Sequence, residues 1–303
     1  MLAQYCHVVD VLRKFNPQLT ESAIESDDYI GYSDLAQIQA RIDAVSSDFD
    51  DKTGRALREL RVGSPGMPAT YEYQDARNAG RGSRPIRVSL DHDNIIPLDP
   101  STGDVFEVRT GKDSWRDITP YAGSKYSLNH RDGAVKIWQW LRQLIWWGAP
   151  DDRYLRTSYR YGALGGDRSE GGQTTLASSA TDSTTTLSVE TAGRLPSTGL
   201  LLVANDEYVR IESVDHDADE LTVERGVRAT TPAAHDAGDA VHYCPETVRD
   251  AIAGKVAEEL LRYDDWVDEL PEASSNLGGV KKTEAWEDEY DQALAKHSGV
   301  RKL

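Results

Sequence analysis

Apolar residues fall at three- and four-residue steps near both ends of the chain and at alternate positions through most of its middle. VVDVLRKF (8–15) is a short helical run closed by Pro17. A longer helix is expected after Ser33, a residue able to cap it. Leu35, Ile38, Ile42, Val45 and Phe49 then form one apolar stripe before Gly54. Asp34, Arg41 and Asp48 lie opposite, so this helix is to be covered on one side only.

From about residue 61 to 162 the rhythm becomes two. RPIRVSLD (84–91), DVFEVRT (104–110) and YLRTSYRYG (154–162) alternate, and Asp132-Gly133 inside KYSLNHRDGAVKIW (125–138) marks a hairpin. ALGGDRSEGGQ (163–173) is rich in glycine and charge and reads as a linker. A second β segment follows. TTLASSATDSTTTLSVE (174–190) alternates, GLLLVANDEYVRIESV (199–214) holds two strands around Asn205-Asp206, and DELTVERGV (219–227) holds another. Helix returns at Pro245, with Val248, Ile252, Val256 and Leu260 every four residues and Ala251, Ala253 and Ala257 beside them. A last helix is expected from Thr283 through Trp286, Tyr290 and Leu294 to Gly299. The predicted class is α+β. A helical region spans 1–60, a β region 61–162 and a linker 163–173. An inserted all-β domain spans 174–244, and helices with a short tail span 245–303 and pack with 1–162.

Composition changes the picture in one respect. The formal charge is −17, with 32 Asp against 19 Glu and 24 Arg against 10 Lys. Such a surface is hydrated and self-repelling, and it does not offer nucleic acid a broad cationic face. The Asp-rich, Lys-poor balance resembles proteins of extreme halophiles, where dense salt screens repulsion to within a few ångströms. The inserted segment shares the bias, with four Arg and no Lys against twelve carboxylates. Cys6 and Cys244 have no metal-ligand spacing and read as free, buried thiols. No run approaches the roughly 18 apolar residues of a membrane span, and the first residues lack a basic-then-apolar signal pattern. The expectation is a protein made in a cytoplasm, without membrane contact.

Candidate chemistry is sparse. DHDADE (215–220) alternates carboxylates as a calcium loop does, but Glu220 stands where such a loop needs Gly and two strands flank it, so a solvated hairpin turn is expected. The seven His residues are scattered singly, and His92, His130 and His216 sit in turn-like contexts. There is no G-x-S-x-G elbow, and RNAGRG (77–82) lacks the order of a phosphate-binding loop. His235-Asp236, near Thr230-Thr231, is the one pair resembling a reactive site. No catalytic, cofactor-binding or metal-ligating residue is expected. The aromatic stretch WQWLRQLIWW (138–147) stands apart. As a strand it puts Trp138 and Trp140 on one face; as a helix it groups Trp140, Leu144 and Trp147. Core packing and an intersubunit contact are both open, since aromatics and Arg dominate interface energetics.

Two stretches carry a family resemblance. The order of an N-terminal helical region, a strand with Tyr159, Tyr161 and Gly162, a helix with Pro245, Val248, Ala251 and Leu260, and a late Trp/Tyr helix resembles the head–tail connector (adaptor) proteins of tailed phages. Separately, Arg225-Gly226, Thr230-Thr231, His235, Gly238 and Val241 resemble the "RG..GT.a..H..G..V" ending of a small β module seen in phage virion and tail proteins. Arg228-Ala229 departs from it where an Asn/Asp-Gly turn is usual, which leaves that turn's geometry open.

The resemblance implies a structural virion protein without a catalytic centre or cofactor. It would form a ring beneath the portal, commonly of twelve copies, and extend the DNA channel towards the tail. Its partners would be other copies of itself, the portal protein, the next neck or tail-completion protein, and viral DNA passing through without specific binding. Its place would be the virion neck, assembled in the host cytoplasm; with the acidic composition, the virus would be that of a halophilic archaeon. Interface candidates are Trp138, Trp140, Leu144, Trp146 and Trp147, the apolar faces of the 34–53 and 245–262 helices, and by analogy the tail Val300, Arg301, Lys302 and Leu303. The rival readings are another virion part (tail, baseplate or decoration) and a halophilic hydrolase built on His235.

Overall fold

The computed structural model describes residues 3–15, 32–54, 56–62, 72–75, 86–92, 94–124, 126–130, 133–138, 153–162, 172–262 and 278–298. The fold is α+β and divides into two compact units, residues 1–58 with 167–303, and residues 59–166.

The first unit contains a helical frame of α1 (Val8–Phe15), α2 (Tyr32–Thr53), α3 (Glu246–Arg262) and α4 (Gly278–His297). Helix α3 lies at its centre and packs on the other three. The stripe Ile38, Ile42, Val45 and Phe49 of α2 is buried with Val248, Ile252, Val256 and Leu260 of α3 and Trp286 and Tyr290 of α4. The apolar faces of α2 and α3 are thus core of the chain itself, a correction to their reading as intersubunit contacts. Small residues set the spacing: a Cβ on Gly254 would stand 3.2 Å from that of Trp286, so glycine lets α3 and α4 close together. Pro245 caps α3, its carbonyl accepting from the N–H groups of Val248 and Arg249 at 3.0 Å. Two boundaries differ from expectation. Helix α2 already includes Tyr32, which places Ser33 inside the helix rather than at its cap. Helix α4 starts at Gly278 instead of Thr283, because its first turn opens on two glycines that carry no apolar signal.

The second unit is two antiparallel sheets around one core. Its long strand β8 (Arg153–Tyr161) pairs on one edge with β1 (Leu60–Val62) and β2 (Glu72–Asp75), and on the other with β4 (Val105–Arg109), beyond which lies β5 (Trp115–Asp117). The smaller sheet runs β3 (Ile86–Ser89), β7 (Ala134–Ile137), β6 (Tyr126–Asn129), with β6 and β7 forming the expected hairpin. Phe106 and Tyr126 stack across the core with centroids 5.7 Å apart. The tyrosine strand serves this core: Tyr159 is buried and its hydroxyl lies 3.0 Å from His92 Nδ1, while Tyr161 lies against the His92 ring at 3.8 Å. His92 therefore clamps both tyrosines, a correction to its reading as a surface turn residue. Gly162 ends the strand at φ 109°.

The inserted segment, within the first unit, folds as a β barrel. Strands β9 (Gly172–Thr175), β10 (Thr186–Ser188), β11 (Gly199–Val203), β12 (Glu207–Asp215), β13 (Glu220–Glu224) and β14 (Ala240–Tyr243) run in the order β10-β13-β12-β11-β14-β9. The two edges then meet, because Leu176 pairs with Val189 and backbone bonds of 2.9 Å join Ala177 to Ser188 and Glu190 to Thr175. This closure shortens the edge open to another strand. Gly172 and Gln173, read from sequence as linker, belong to β9, and Gly172 pairs with Tyr243, so the barrel enters and leaves side by side. Asp215–Glu220 forms the turn of the β12–β13 hairpin, with the Asp215 carboxylate accepting from the N–H groups of Asp217 and Ala218.

Candidate functional site

Glu207 opens β12 with its side chain turned into the barrel, ahead of Val209 and Ile211 on the same face, and it is wholly buried. Four groups converge on its carboxylate. Arg225 donates from Nε at 2.7 Å and from Nη2 at 2.6 Å, a two-pronged pair. Gly226 N donates at 2.9 Å, Ala233 N at 3.1 Å, and His235 Nε2 lies at 2.9 Å. Arg225 also donates to the carbonyls of Thr181, Thr184 and Ala233. Burial alone would push the Glu207 carboxyl up, but Arg225, His235 and the two N–H groups together bring it down to about 2.

The local sequence explains this convergence. Gly226 sits at φ 61°, and an added Cβ would meet Pro232 Cδ at 2.5 Å, so only glycine lets the chain fold back over the carboxylate. Thr230 accepts from Tyr208 N and donates to Val227 O, closing the loop. His235 pairs backbone to backbone with Ala180, fixing the far side. The stretch 221–241 is thus tied to one buried carboxylate. Among the described residues no hydroxyl is hydrogen-bonded to His235, whose other nitrogen faces Asp239 at 4.0 Å. The ring is held as an anchor.

A second buried polar group lies between barrel and frame. Asp10 of α1 accepts from the Tyr208 hydroxyl at 2.5 Å, and its other oxygen lies 2.9 Å from Arg228 Nη2, an ion pair rather than an aligned hydrogen bond. The Arg249 guanidinium stands 5.8 Å over the Tyr208 ring. Burial raises the Tyr208 hydroxyl well above its usual range, and Asp10 pushes it the same way. A third group joins Tyr5, Asp50, Arg58 and His242. Tyr5 donates to Asp50, Arg58 Nε donates to Asp50 at 2.9 Å, and His242 lies between Gln4 O and Leu57 O at 3.1 and 3.2 Å. Burial lifts Asp50 to about 6, outweighing Arg58, and burial drops His242 to about 4.

Of the expected interface residues in the aromatic stretch and the tail, Trp138 alone lies among the described residues. Trp138, at the end of β7, is 44 % exposed with the Lys136 ammonium 5.4 Å over its ring. Trp140, Leu144, Trp146, Trp147, Val300, Arg301, Lys302 and Leu303 lie outside the described residues. Cys6 and Cys244 are free and buried in the frame core. Among the described residues no group of His, Cys, Asp and Glu has a metal-holding arrangement, and no helix is long and apolar enough to cross a membrane. An open polar groove of about 550 Å³ lies over β10, β12 and β13, lined by Thr186, Ser213, Thr222, Asp215 and His216 among others.

Sequence reasoning missed Glu207, Asp10, Asp50 and Arg58. One signal was readable: Glu207 falls on the inward side of an alternating strand, where a carboxylate requires a partner. No protein-family model matches the chain, and neither a curated protein nor a solved structure is significantly similar to it.

Proposed function

We propose that the chain is a head–tail connector subunit of a tailed virus, forming a ring beneath the portal and carrying an inserted β barrel. One observation carries this reading. The barrel interrupts the chain between the tyrosine strand β8 and the proline-led helix α3, and it enters and leaves side by side. The helices before and after it nevertheless share one core, so the frame is complete across the insertion. That is the arrangement expected of a connector frame that has acquired a virion β module. The residues shared with the connector pattern do structural work: Tyr159, Val248, Ala251 and Leu260 are core, Pro245 caps α3 and Gly162 ends β8.

In this role the chain needs no catalytic centre. It needs a heterologous contact repeated around a closed axis, for which the exposed Trp138 and the aromatic stretch after it are the proposed anchor. Unpaired surface carboxylates suit a channel that lets DNA pass without gripping it. Electron microscopy and native mass measurement of the purified protein in molar salt are expected to show closed rings, alone or once portal is added. A subunit that stays monomeric and never binds portal would overturn the proposal, as would assembly with tail or baseplate proteins only. A substrate-dependent activity lost in His235→Ala with the fold intact would instead support the enzyme reading.

The halophilic assignment makes its own prediction. Helix α4 exposes Glu284, Glu287, Asp288 and Asp291 along its outer side. Screening length grows from a few ångströms in molar salt to about 10 Å at 0.1 M, so repulsion among such groups reaches further as salt is removed. The melting temperature is expected to fall by ten degrees or more between molar salt and 0.1 M. A melting temperature independent of salt would remove the halophilic reading.

A further inference from the structure

Three turns of the barrel hold non-glycine residues in the left-handed region, Asp219 among them, and the other two meet the N-terminal segment. The β11–β12 turn has Ala204 at φ 52° and Asn205 at φ 61°; the turn after Val227 has Arg228 at φ 59° and Ala229 at φ 62°. Each such residue is unfavourable by about 1–2 kcal/mol for side chains other than Gly, Asn or Asp. The second turn is the one where Arg228-Ala229 departs from the module pattern. The strain accompanies contacts outside the barrel. Asn205 Oδ1 accepts from Gln4 N at 2.8 Å, and Arg228 reaches Asp10 at 2.9 Å.

Residues 3–7, which lead into α1, touch both sides. Towards the frame, Ala3 O accepts from Arg58 at 3.0 Å, the Gln4 side chain donates to Asp43 at 3.0 Å, and the Tyr5 hydroxyl accepts from Leu57 N at 2.8 Å. Towards the barrel, besides Asn205, Gln4 O meets His242 at 3.1 Å, and His7 N is shared between the Tyr208 hydroxyl and Asp10 Oδ2, each at 3.1 Å. The barrel's outer side carries its own apolar cluster of Leu202, Tyr208 and Val227, separate from the barrel core. Frame and barrel each keep a core of their own; the chain passes from barrel to frame after Tyr243, which pairs with Gly172 at the barrel's other end.

We propose that residues 3–7 are a strap that locks the inserted barrel to the helical frame, and that Arg228 on Asp10, in the first turn of α1, is its latch. With the strap seated the barrel is fixed; with the latch released the barrel is free to swing about its paired ends while both cores stay folded. The strained Arg228-Ala229 turn persists because a relaxed Asn-Gly turn there would lack the guanidinium. This device does not depend on what the chain assembles with.

Hydrogen exchange on the full chain in molar salt tests it. In the double variant Arg228→Asn, Ala229→Gly, the amide of Gln4, whose acceptor Asn205 lies on the barrel, is expected to exchange at least tenfold faster. Those of Val209, Ile211 and Val223 in the barrel core should be unchanged. Ala229→Gly alone, which relaxes the turn and keeps the latch, should leave Gln4 protected. The proposal fails if the Gln4 amide stays protected in the double variant, or if strap, barrel and frame quicken by one common factor. Should the double variant not fold, the parent protein decides. The Gln4 amide must then open with a weaker denaturant dependence than barrel amides, and equal dependence would overturn the latch.

Discussion

Glu207→Gln is expected to destabilise the protein by about 3–5 kcal/mol, the range for breaking a buried ion pair from one side. The substitution keeps the shape of the side chain and removes its charge. It also replaces one acceptor oxygen by an NH2 donor. Either orientation of the amide sets donors against donors, because Arg225 Nη2, Ala233 N and His235 face one oxygen while Arg225 Nε and Gly226 N face the other. Arg225 would remain buried with only carbonyls to receive it. Against a domain stability of about 5–15 kcal/mol, the barrel would be near its limit. Urea unfolding in molar salt measures the loss. Adding Arg225→Met should recover part of it, since a neutral pair leaves no charge behind. A loss under about 1 kcal/mol, below the range for leaving even one buried polar group unpaired, would show that the carboxylate does not hold the loop. Because Glu207 is held at about 2 against an ordinary 4.5, its contribution is complete above pH 4.5 and fades as pH falls through 2.

The group around Tyr5 is expected to reveal a hidden pH dependence. Asp50, at about 6 instead of 3.8, takes up a proton more readily when folded. Its stabilising contribution is therefore complete below pH 3.8 and is lost as pH rises through 6. His242, at about 4 instead of 6.5, holds its proton better when unfolded. Its contribution is complete above pH 6.5 and is lost as pH falls through 4. Each shift of two units or more corresponds to about 3 kcal/mol, and the two run in opposite directions through nearly the same window. In the parent protein they offset each other. In Asp50→Asn only the His242 contribution remains. The stability of that variant relative to the parent should then rise by about 3 kcal/mol from pH 4 to pH 6.5. A constant offset between the two unfolding curves would contradict the opposed titrations.

Local rhythm made most of the elements readable. The α2 stripe, the four-residue repeat of α3, the Asp132-Gly133 hairpin and the alternating strands β8, β12 and β13 each announce themselves within a dozen residues. What was hidden is long-range. Glu207 meets residues 18 and 28 positions away, and Tyr208 meets Asp10 across 198. Such pairings leave no periodic trace. The docked side of the barrel did leave one. GLLLV runs apolar without alternating, as a strand buried on both faces does, and Leu201 and Leu202 are indeed buried in different clusters. His235-Asp236 looked reactive because spacing alone does not show what a histidine faces. Here its Nε2 faces Glu207, a residue already saturated by Arg225.

A reconstruction of the neck of a virus particle built with this chain decides whether it has the proposed place in a virion. A connector subunit is expected there as a closed ring between portal and tail, its helical frame lining the passage and one barrel standing on each subunit. Finding the chain in the tail, in the baseplate or on the capsid surface, with a different protein beneath the portal, would contradict it.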